Sequence, residues 1–247
     1  MYLVTGATGF VGSAVTRQLL ARGENVRVLS RAGSDQTNIR DLHVEVVEGD
    51  LLKPETLRSA VEGCDGVFHV AADYRLWTRN PETMFRTNVD GSRAIVCAAL
   101  SAGVGRIVYT SSVAVLGNVP GGVADEDTPV TYADMIGPYK QSKFRADEAV
   151  RQLIEEKGAP VVIVNPSTPI GPRDVKPTPT GRVIVEAASG KMPAYVDTGL
   201  NVAHVDDVAA GHLLALDKGS VGESYILGGD DMPLADILAV VARNTRR

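Results

Sequence analysis

The chain has 247 residues, 44% hydrophobic and 22% charged, with a net charge of −5 and no block of like charge, which suits one large domain or one domain plus a small lobe and argues against a nucleic-acid partner. No apolar run reaches membrane-spanning length, Met1 leads directly into a strand and a glycine turn, and the two basic residues Arg246 and Arg247 are too few to change the balance, so no membrane insertion and no cleavable leader are expected. Cys64 and Cys97 are not in a CxxC pair and His43, His69, His204 and His212 lack metal-ligand spacing, which predicts a cytoplasmic protein without disulfides or a metal site.

A β-branched run, Tyr2–Thr5, opens the fold and passes straight into Gly6-Ala7-Thr8-Gly9-Phe10-Val11-Gly12. Phe10–Arg22 then places Val11, Val15, Leu19 and Leu20 on one helical stripe, with Gly23 positioned to stop it. Glycines between a strand and a helix allow a tight turn and let a pyrophosphate reach backbone N–H groups at the positive end of the helix dipole. The spacing is GxxGxxG, not GxGxxG, but with a strand before and a helix after it points to a dinucleotide held by Gly6, Thr8, Gly9, Phe10, Val11 and Gly12. A P-loop is excluded, because the only Gly-Lys pair, Gly190-Lys191, is followed by Met192.

The second strand, Asn25–Ser30, ends on Ser30-Arg31. An NAD site usually has a carboxylate here for the ribose 2′-hydroxyl, whereas an arginine suits a 2′-phosphate. Ser30 and Arg31 therefore predict NADP(H) as the preferred cofactor with NAD(H) as the alternative; the bland reading of Arg31 is a solvated loop charge. The third strand, Val44–Glu48, precedes Gly49-Asp50-Leu51, where an adenine would lie. Asp50 either accepts from the adenine amino group or caps the following helix, Pro54–Val61.

Gly66–Val70 is the fourth strand, and beyond it Asp73, Tyr74, Arg75 and Trp77 stand where a substrate would enter. They either grip a sugar or flat ring or pin the loop by packing. Pro81–Ala102 reads as one long helix. The strand Arg106–Ser111 carries Ser111-Ser112 to its C-terminal end, where parallel sheets bind ligands; Ser112, with Ser111 as the alternative, can donate to a substrate oxygen. The helix Tyr139–Glu156, closed by Gly158, puts Tyr139 and Lys143 four residues apart on one face. A free tyrosine titrates near ~10; the Lys143 ammonium, with an oxidised nicotinamide, favours the phenolate. Tyr139 could then exchange a proton while hydride moves, with Lys143 also holding ribose hydroxyls.

Val161–Asn165 completes a set of short apolar strands alternating with helices, which predicts an α/β fold with a doubly wound parallel sheet over residues 1–165. Next, Pro166, Pro169, Pro172, Pro177 and Pro179 predict a rigid irregular loop, on which Thr178, Thr180 and Arg182 could hold a phosphate or sugar hydroxyl. A helix near Arg182–Ser189, a strand near Val202–Val205, a helix Asp206–Leu216 capped through an aspartate, a strand Ser224–Leu227 and a helix from Leu234 follow. Residues 166–247 thus read as a small substrate-side lobe interleaved with the sheet and cut short at Arg247. No Gly-x-Ser-x-Gly elbow points to a serine hydrolase.

The glycine turn, Asp50, His69-Val70-Ala71-Ala72, Asn88, Ser111-Ser112 and the Tyr139/Lys143 pair together resemble the extended short-chain dehydrogenase/reductase family, over essentially the whole chain. The resemblance implies a Rossmann fold with Ser112, Tyr139 and Lys143 catalytic and Asn88 on the helix beside the active site. It also implies Pro166-Ser167 shaping the nicotinamide pocket, cofactor contacts from Leu51, Val70, Ala71, Ala72, Asn88 and Thr110, and Thr168 and Arg182 facing substrate. Ala72–Trp77, Asp134–Tyr139, Asn165–Pro169 and Asp197–Asp207 resemble hopanoid-associated sugar epimerases, which are similar in turn to the NADPH-using dihydroflavonol-4-reductases. Family relatives generally continue beyond the position of Arg247, implying truncation here, and they pair through two long helices, implying a homodimer through Pro81–Ala102 and Tyr139–Glu156. Three functions stay open: an epimerase or oxidoreductase working through a keto intermediate of a nucleotide-sugar or related polyol, a ketone reductase consuming NADPH, and a non-catalytic NADP(H)-binding module.

Overall fold

The computed structural model describes residues 1–245, so Arg246 and Arg247 lie outside the described residues. Its first elements are β1 (Tyr2–Thr5), α1 (Phe10–Ala21), β2 (Val26–Ser30), β3 (Glu45–Glu48), α2 (Leu57–Val61) and β4 (Gly66–His69). Then come α3 (Glu82–Phe85), α4 (Gly91–Ser101), β5 (Arg106–Thr110), α5 (Pro138–Lys157) and β6 (Val161–Pro166). The chain continues through β7 (Thr168–Ile170), α6 (Pro179–Ala188), β8 (Gly199–His204), α7 (Val205–Lys218), β9 (Ser224–Leu227), β10 (Asp230–Pro233) and α8 (Leu234–Thr245).

Seven strands form one parallel sheet in the order β3-β2-β1-β4-β5-β6-β9, the Rossmann-type arrangement expected from the sequence. Adjacent residues on a strand face opposite sides, and here both sides are covered. Leu3, Val67, Ile107 and Ile163 pack with Leu57, Ile95 and Val150 of α2, α4 and α5. Their neighbours Val4, Phe68, Val108 and Val162 pack with Val15 of α1 and Leu213 of α7. Each such buried side chain contributes about 1.5–3 kcal/mol, so the two-sided core explains why these strands read as unbroken apolar runs. The chain order reverses between β1 and its neighbours β2 and β4, which opens a crevice at the strands' C-terminal ends.

Three features depart from the sequence expectations. The long helix Pro81–Ala102 is interrupted by a π turn, Arg86–Asp90, in which Asn88 is buried. The proline-rich segment is not wholly irregular: Thr168–Ile170 forms β7, which pairs parallel with β8, while β10 pairs antiparallel on the other side of β8. Pro169 is tolerated because β7 is an edge strand of this second sheet. The α7 N-terminus is capped by His204, whose Nδ1 accepts from the Asp206 N–H at 3.2 Å, and not by an aspartate. Among the described residues no helix is long and apolar enough to cross a membrane.

Candidate active site

The glycine turn meets the end of β4 almost in contact. Gly6 has φ +74°, and a Cβ there would lie 2.8 Å from the Ala71 backbone; one on Gly12 would lie 2.2 Å from the Gly6 carbonyl oxygen. Only glycine lets these three pieces of backbone close. The α1 N-terminus carries no side-chain cap and no acidic residue in its first turn, so its orphan N–H groups face outward from the turn. Phe10 is buried, Val11 half-buried, and the Thr8 carbonyl is held by Asn38.

At the far end of the crevice a cavity of about 400 Å³ is lined by residues including Arg31, Ser34, Asp50, Lys53 and Thr56. Ser30 is buried beside it, while Arg31 is exposed and, among the described residues, its guanidinium makes no hydrogen bond or ion pair. Asp50 Oδ1 accepts from the Leu52 N–H at 2.9 Å, so the carboxylate tightens its own turn, and Leu51 is buried beneath. An uncapped helix end, a glycine cradle and an unpaired guanidinium form a donor set that fits a dinucleotide.

Three hydroxyl and amine groups converge at the other end. Gly137, at φ +89°, turns the chain into α5 and Pro138 occupies its first position, which sets Tyr139 on the first turn. The Tyr139 phenol faces the Ser112 hydroxyl, whose oxygen accepts from the Ala114 N–H at 3.1 Å. Ser111 Oγ, by contrast, is buried without a partner, as are Asn165 Oδ1 and Ser167 Oγ. Of the two serines, it is Ser112 that meets Tyr139. Asn165, which the sequence reading passed over, holds the Ser112 carbonyl through Nδ2 at 3.0 Å.

Lys143 does not pair with Tyr139 as expected. Its Nζ donates to the Thr110 carbonyl at 2.9 Å and to the Tyr109 phenol at 3.2 Å, two acceptors that serve an ammonium better than another proton donor would. Burial draws the Lys143 pKa down to about 8, against the pull of Asp147 one turn along. Burial likewise holds the Tyr139 phenol above its ordinary value, opposed by the nearby Ser112 hydroxyl. Thr110 is fixed on its side-chain end too, by His212 at 2.9 Å.

Asn88 lies beside this centre, with its carboxamide bound to the loop after β4 and to α5. Oδ1 accepts from Asp73 N–H at 2.7 Å, and Nδ2 donates to the Asp73 carbonyl and to Ser142 Oγ, both at 2.9 Å. Ser142 in turn donates to the Tyr139 carbonyl at 2.8 Å. Asn88 therefore ties the loop after β4 to the first turn of α5. On that loop Arg75 is salt-bridged to Asp73 at 2.5 Å, while Tyr74 and Trp77 stand out into solvent, Trp77 73% exposed. Burial alone would raise the Asp73 carboxyl, but the hydrogen bonds and charge of Arg75 hold it below its ordinary value.

The second sheet brings fewer candidates to the centre. On the main sheet, the Val70 and Ala71 N–H groups donate to the carbonyl and hydroxyl of Thr5 at the C-terminal end of β1, with Ala72 beyond them. Pro166 ends β6 and Thr168 begins β7. Arg182 lies on α6 and makes no hydrogen bond or ion pair through its side chain with Ser112, Tyr139 or Lys143. Thr178 caps α6 by accepting from the Gly181 N–H and donating to Asp174, so it is a structural hydroxyl and not a phosphate ligand.

The model of the NAD dependent epimerase/dehydratase family matches residues 2–228. A protein of Synechocystis sp., provisionally named dihydroflavonol 4-reductase, is 48% identical over 243 residues, covering 96% of this chain and 70% of that protein. The crystal structure of gox2253 is 57% identical with a TM-score of 0.96, over 99% of this chain and 74% of that one. A nucleoside-diphosphate-sugar epimerase from Pseudomonas aeruginosa is 29% identical with a TM-score of 0.87, over 100% of this chain and 78% of that one.

Proposed function

The chain belongs to the NAD dependent epimerase/dehydratase family and is an NAD(P)-dependent oxidoreductase or epimerase; we propose that it interconverts hydroxyl and carbonyl at one carbon of a nucleotide-sugar or related polyol, through a keto intermediate. The observation that carries this reading is the Tyr139 phenol facing the Ser112 hydroxyl at the C-terminal end of β5, with Lys143 buried one helical turn along from Tyr139.

Bound in the crevice, a nicotinamide cofactor supplies the hydride donor or acceptor and, when oxidised, a positive charge. The chain supplies the rest. Ser112 donates to the substrate oxygen and polarises it, and Tyr139 moves the proton on that same oxygen. Lys143 offers its third N–H to a ribose hydroxyl and its charge to the developing phenolate. Gly6, Thr8, Gly9, Phe10, Val11 and Gly12 would hold the pyrophosphate, and Asp50 and Leu51 the adenine. Val70, Ala71, Ala72, Thr110, Pro166 and Ser167 would line the nicotinamide site, and Asp73, Tyr74, Arg75, Trp77, Thr168 and Arg182 the substrate site.

NADP(H) is the preferred cofactor in this reading, supported by the unpaired Arg31 in a cavity shared with Lys53. The same observation, with the reductase name of the Synechocystis relative, favours a second reading, an NADPH-dependent ketone reductase. Residues 1–165 form the dinucleotide-binding domain in this reading and residues 166–247 a substrate-side lobe interleaved with it, β9 joining the main sheet and α7 packing on it. We read the protein as a cytoplasmic homodimer paired through α4 and α5, supported by two free cysteines and by half-buried Ala94, Cys97 and Ala98 on α4. The test incubates the protein and cofactor with nucleotide-sugars and, separately, with ketones and flavanonols, following reduced-nicotinamide absorbance and product stereochemistry together. Stereochemical change without net cofactor consumption supports the epimerase; steady NADPH loss on a ketone, with no sugar epimerised, overturns it in favour of the reductase.

A further inference from the structure

We infer that Tyr109 is a positioning residue, whose phenol, anchored by Ser92 and His69 beneath the site, fixes the Lys143 ammonium so that its remaining N–H serves the cofactor ribose. The inference rests on the reading above that Lys143 acts at the ribose.

Tyr109 is a β5 residue, 1% exposed, with its ring stacked on His69 at a centroid separation of 5.8 Å. The Lys143 Nζ lies 3.2 Å from the phenol oxygen but 4.8 Å from the ring centroid, so the oxygen and not the ring face is its seat. The surrounding bonds leave little choice of proton positions. Ser92 Oγ gives its hydrogen to the Asn88 carbonyl at 2.6 Å, so the His69 Nε2–H must donate to Ser92, at 2.9 Å. His69 Nδ1 is then an acceptor and takes the Thr5 hydroxyl hydrogen at 2.7 Å, while Thr5 Oγ1 accepts from the Ala71 N–H. His69 is thereby neutral, in keeping with a pKa drawn down to about 3 by burial and by the Lys143 charge. The Ser92 hydroxyl also faces the Tyr109 phenol. An ammonium can only donate, so in the 3.2 Å contact the phenol oxygen accepts and its hydrogen turns away from Lys143, toward Ser92. Two of the three ammonium hydrogens are thus taken by Tyr109 and Thr110, which aims the third.

The groups facing Lys143 are Tyr109 on β5, His69 on β4, and Asp147 and Tyr139 on α5, with Arg151 neutralising Asp147 at 2.7 Å. Of these the Tyr109 oxygen is the one side-chain acceptor in hydrogen-bond contact with Nζ. Removing it leaves the buried ammonium with the Thr110 carbonyl alone, so Lys143 should lose its proton earlier as pH rises.

The experiment titrates NADPH into wild type, Tyr109→Phe and Lys143→Met between pH 6 and 10, with urea unfolding of each at pH 7. Phenylalanine keeps the ring stack and removes only the oxygen. Wild-type affinity is expected to fall above about pH 8, and the fall in Tyr109→Phe to begin one to two pH units lower, the worth of a charge-assisted hydrogen bond. Lys143→Met should be weak at every pH. A Tyr109→Phe profile that coincides with wild type, while Lys143→Met is weak throughout, overturns the role of Tyr109 and leaves the site reading intact. A Lys143→Met profile like wild type instead removes the reading on which the inference stands. Should Tyr109→Phe not fold, Ser92→Ala frees the phenol hydrogen to turn toward Lys143; a smaller shift in the same direction supports the inference, and an unmoved profile overturns it.

Discussion

Replacing Asn88 with alanine tests how the loop after β4 is held against the catalytic helix. Asn88 is 1% exposed and its carboxamide makes three hydrogen bonds, two to the Asp73 backbone and one to Ser142. Each contributes roughly 1 kcal/mol net, and a donor left unpaired adds about 1–3 kcal/mol. Ser142 keeps its bond to the Tyr139 carbonyl, and Asp73 lies on a loop and is only partly buried, so water can reach the groups that Asn88 leaves there. The loss should therefore be about 3 kcal/mol, near the sum of the bonds without the full desolvation cost. For a chain of this size that is a fall of about 6–12 °C in Tm, or about 1 M in urea midpoint at a slope near ~3 kcal/mol/M. Urea denaturation with and without NADPH measures it, and KM for the substrate should rise in the same variant because Tyr74 and Trp77 are released with the loop. A loss under ~1 kcal/mol with unchanged KM would refute the argument that Asn88 ties this loop to α5.

Two other predictions follow from the charges. Arg31→Ala should weaken NADPH binding by roughly ten- to a hundredfold while leaving NADH nearly unchanged; equal wild-type affinities for the two cofactors, by titration, would remove the 2′-phosphate assignment. His69 and His212 are buried and neutral, with pKa values drawn down to about 3 and about 4, below the unfolded value near ~6.5. The unfolded chain therefore binds more protons between these limits, so stability present above about pH 6.5 is lost as pH falls through this window. Urea midpoints from pH 7 to pH 4 should decline, and less steeply in His212→Gln; parallel declines would contradict the assignment.

The strands and the glycine turn were legible because their causes are local. Leu3-Val4, Val67-Phe68 and Ile107-Val108 are apolar on both faces because both faces are covered, and Gly6 and Gly12 follow from a turn that admits no Cβ. Ser112, Tyr139 and Lys143 were singled out by their place at a strand end and by helical spacing. What escaped depends on register across strands. Thr5, His69 and Tyr109 are direct neighbours in the ladder, Thr5 opposite His69 and His69 opposite Tyr109. Aligning the three strand ends would have put one polar row beneath the site, yet His69 read as one of four scattered histidines. The direction of the Lys143 side chain was equally hidden, since four-residue spacing places it on the face of Tyr139 but leaves its nitrogen free to reach Tyr109 and the Thr110 carbonyl. The π turn at Asn88 has no marker in a helical pattern that continues through it, and β7 was masked by the prolines around it.

The central claim is that Tyr139 carries the proton while the rest of the centre binds and orients, and turnover of Tyr139→Phe measured beside its cofactor affinity tests it most directly. The nucleotide-sugar or ketone that wild type converts serves as substrate, and NADPH titration gives the affinity. Turnover should fall by about 10²–10⁴, the usual worth of a positioned acid or base, with the dissociation constant for NADPH within about twofold, because the phenol faces Ser112 while Lys143 is held by Tyr109 and the Thr110 carbonyl. Turnover within tenfold of wild type would contradict the claim and move the proton transfer to another group.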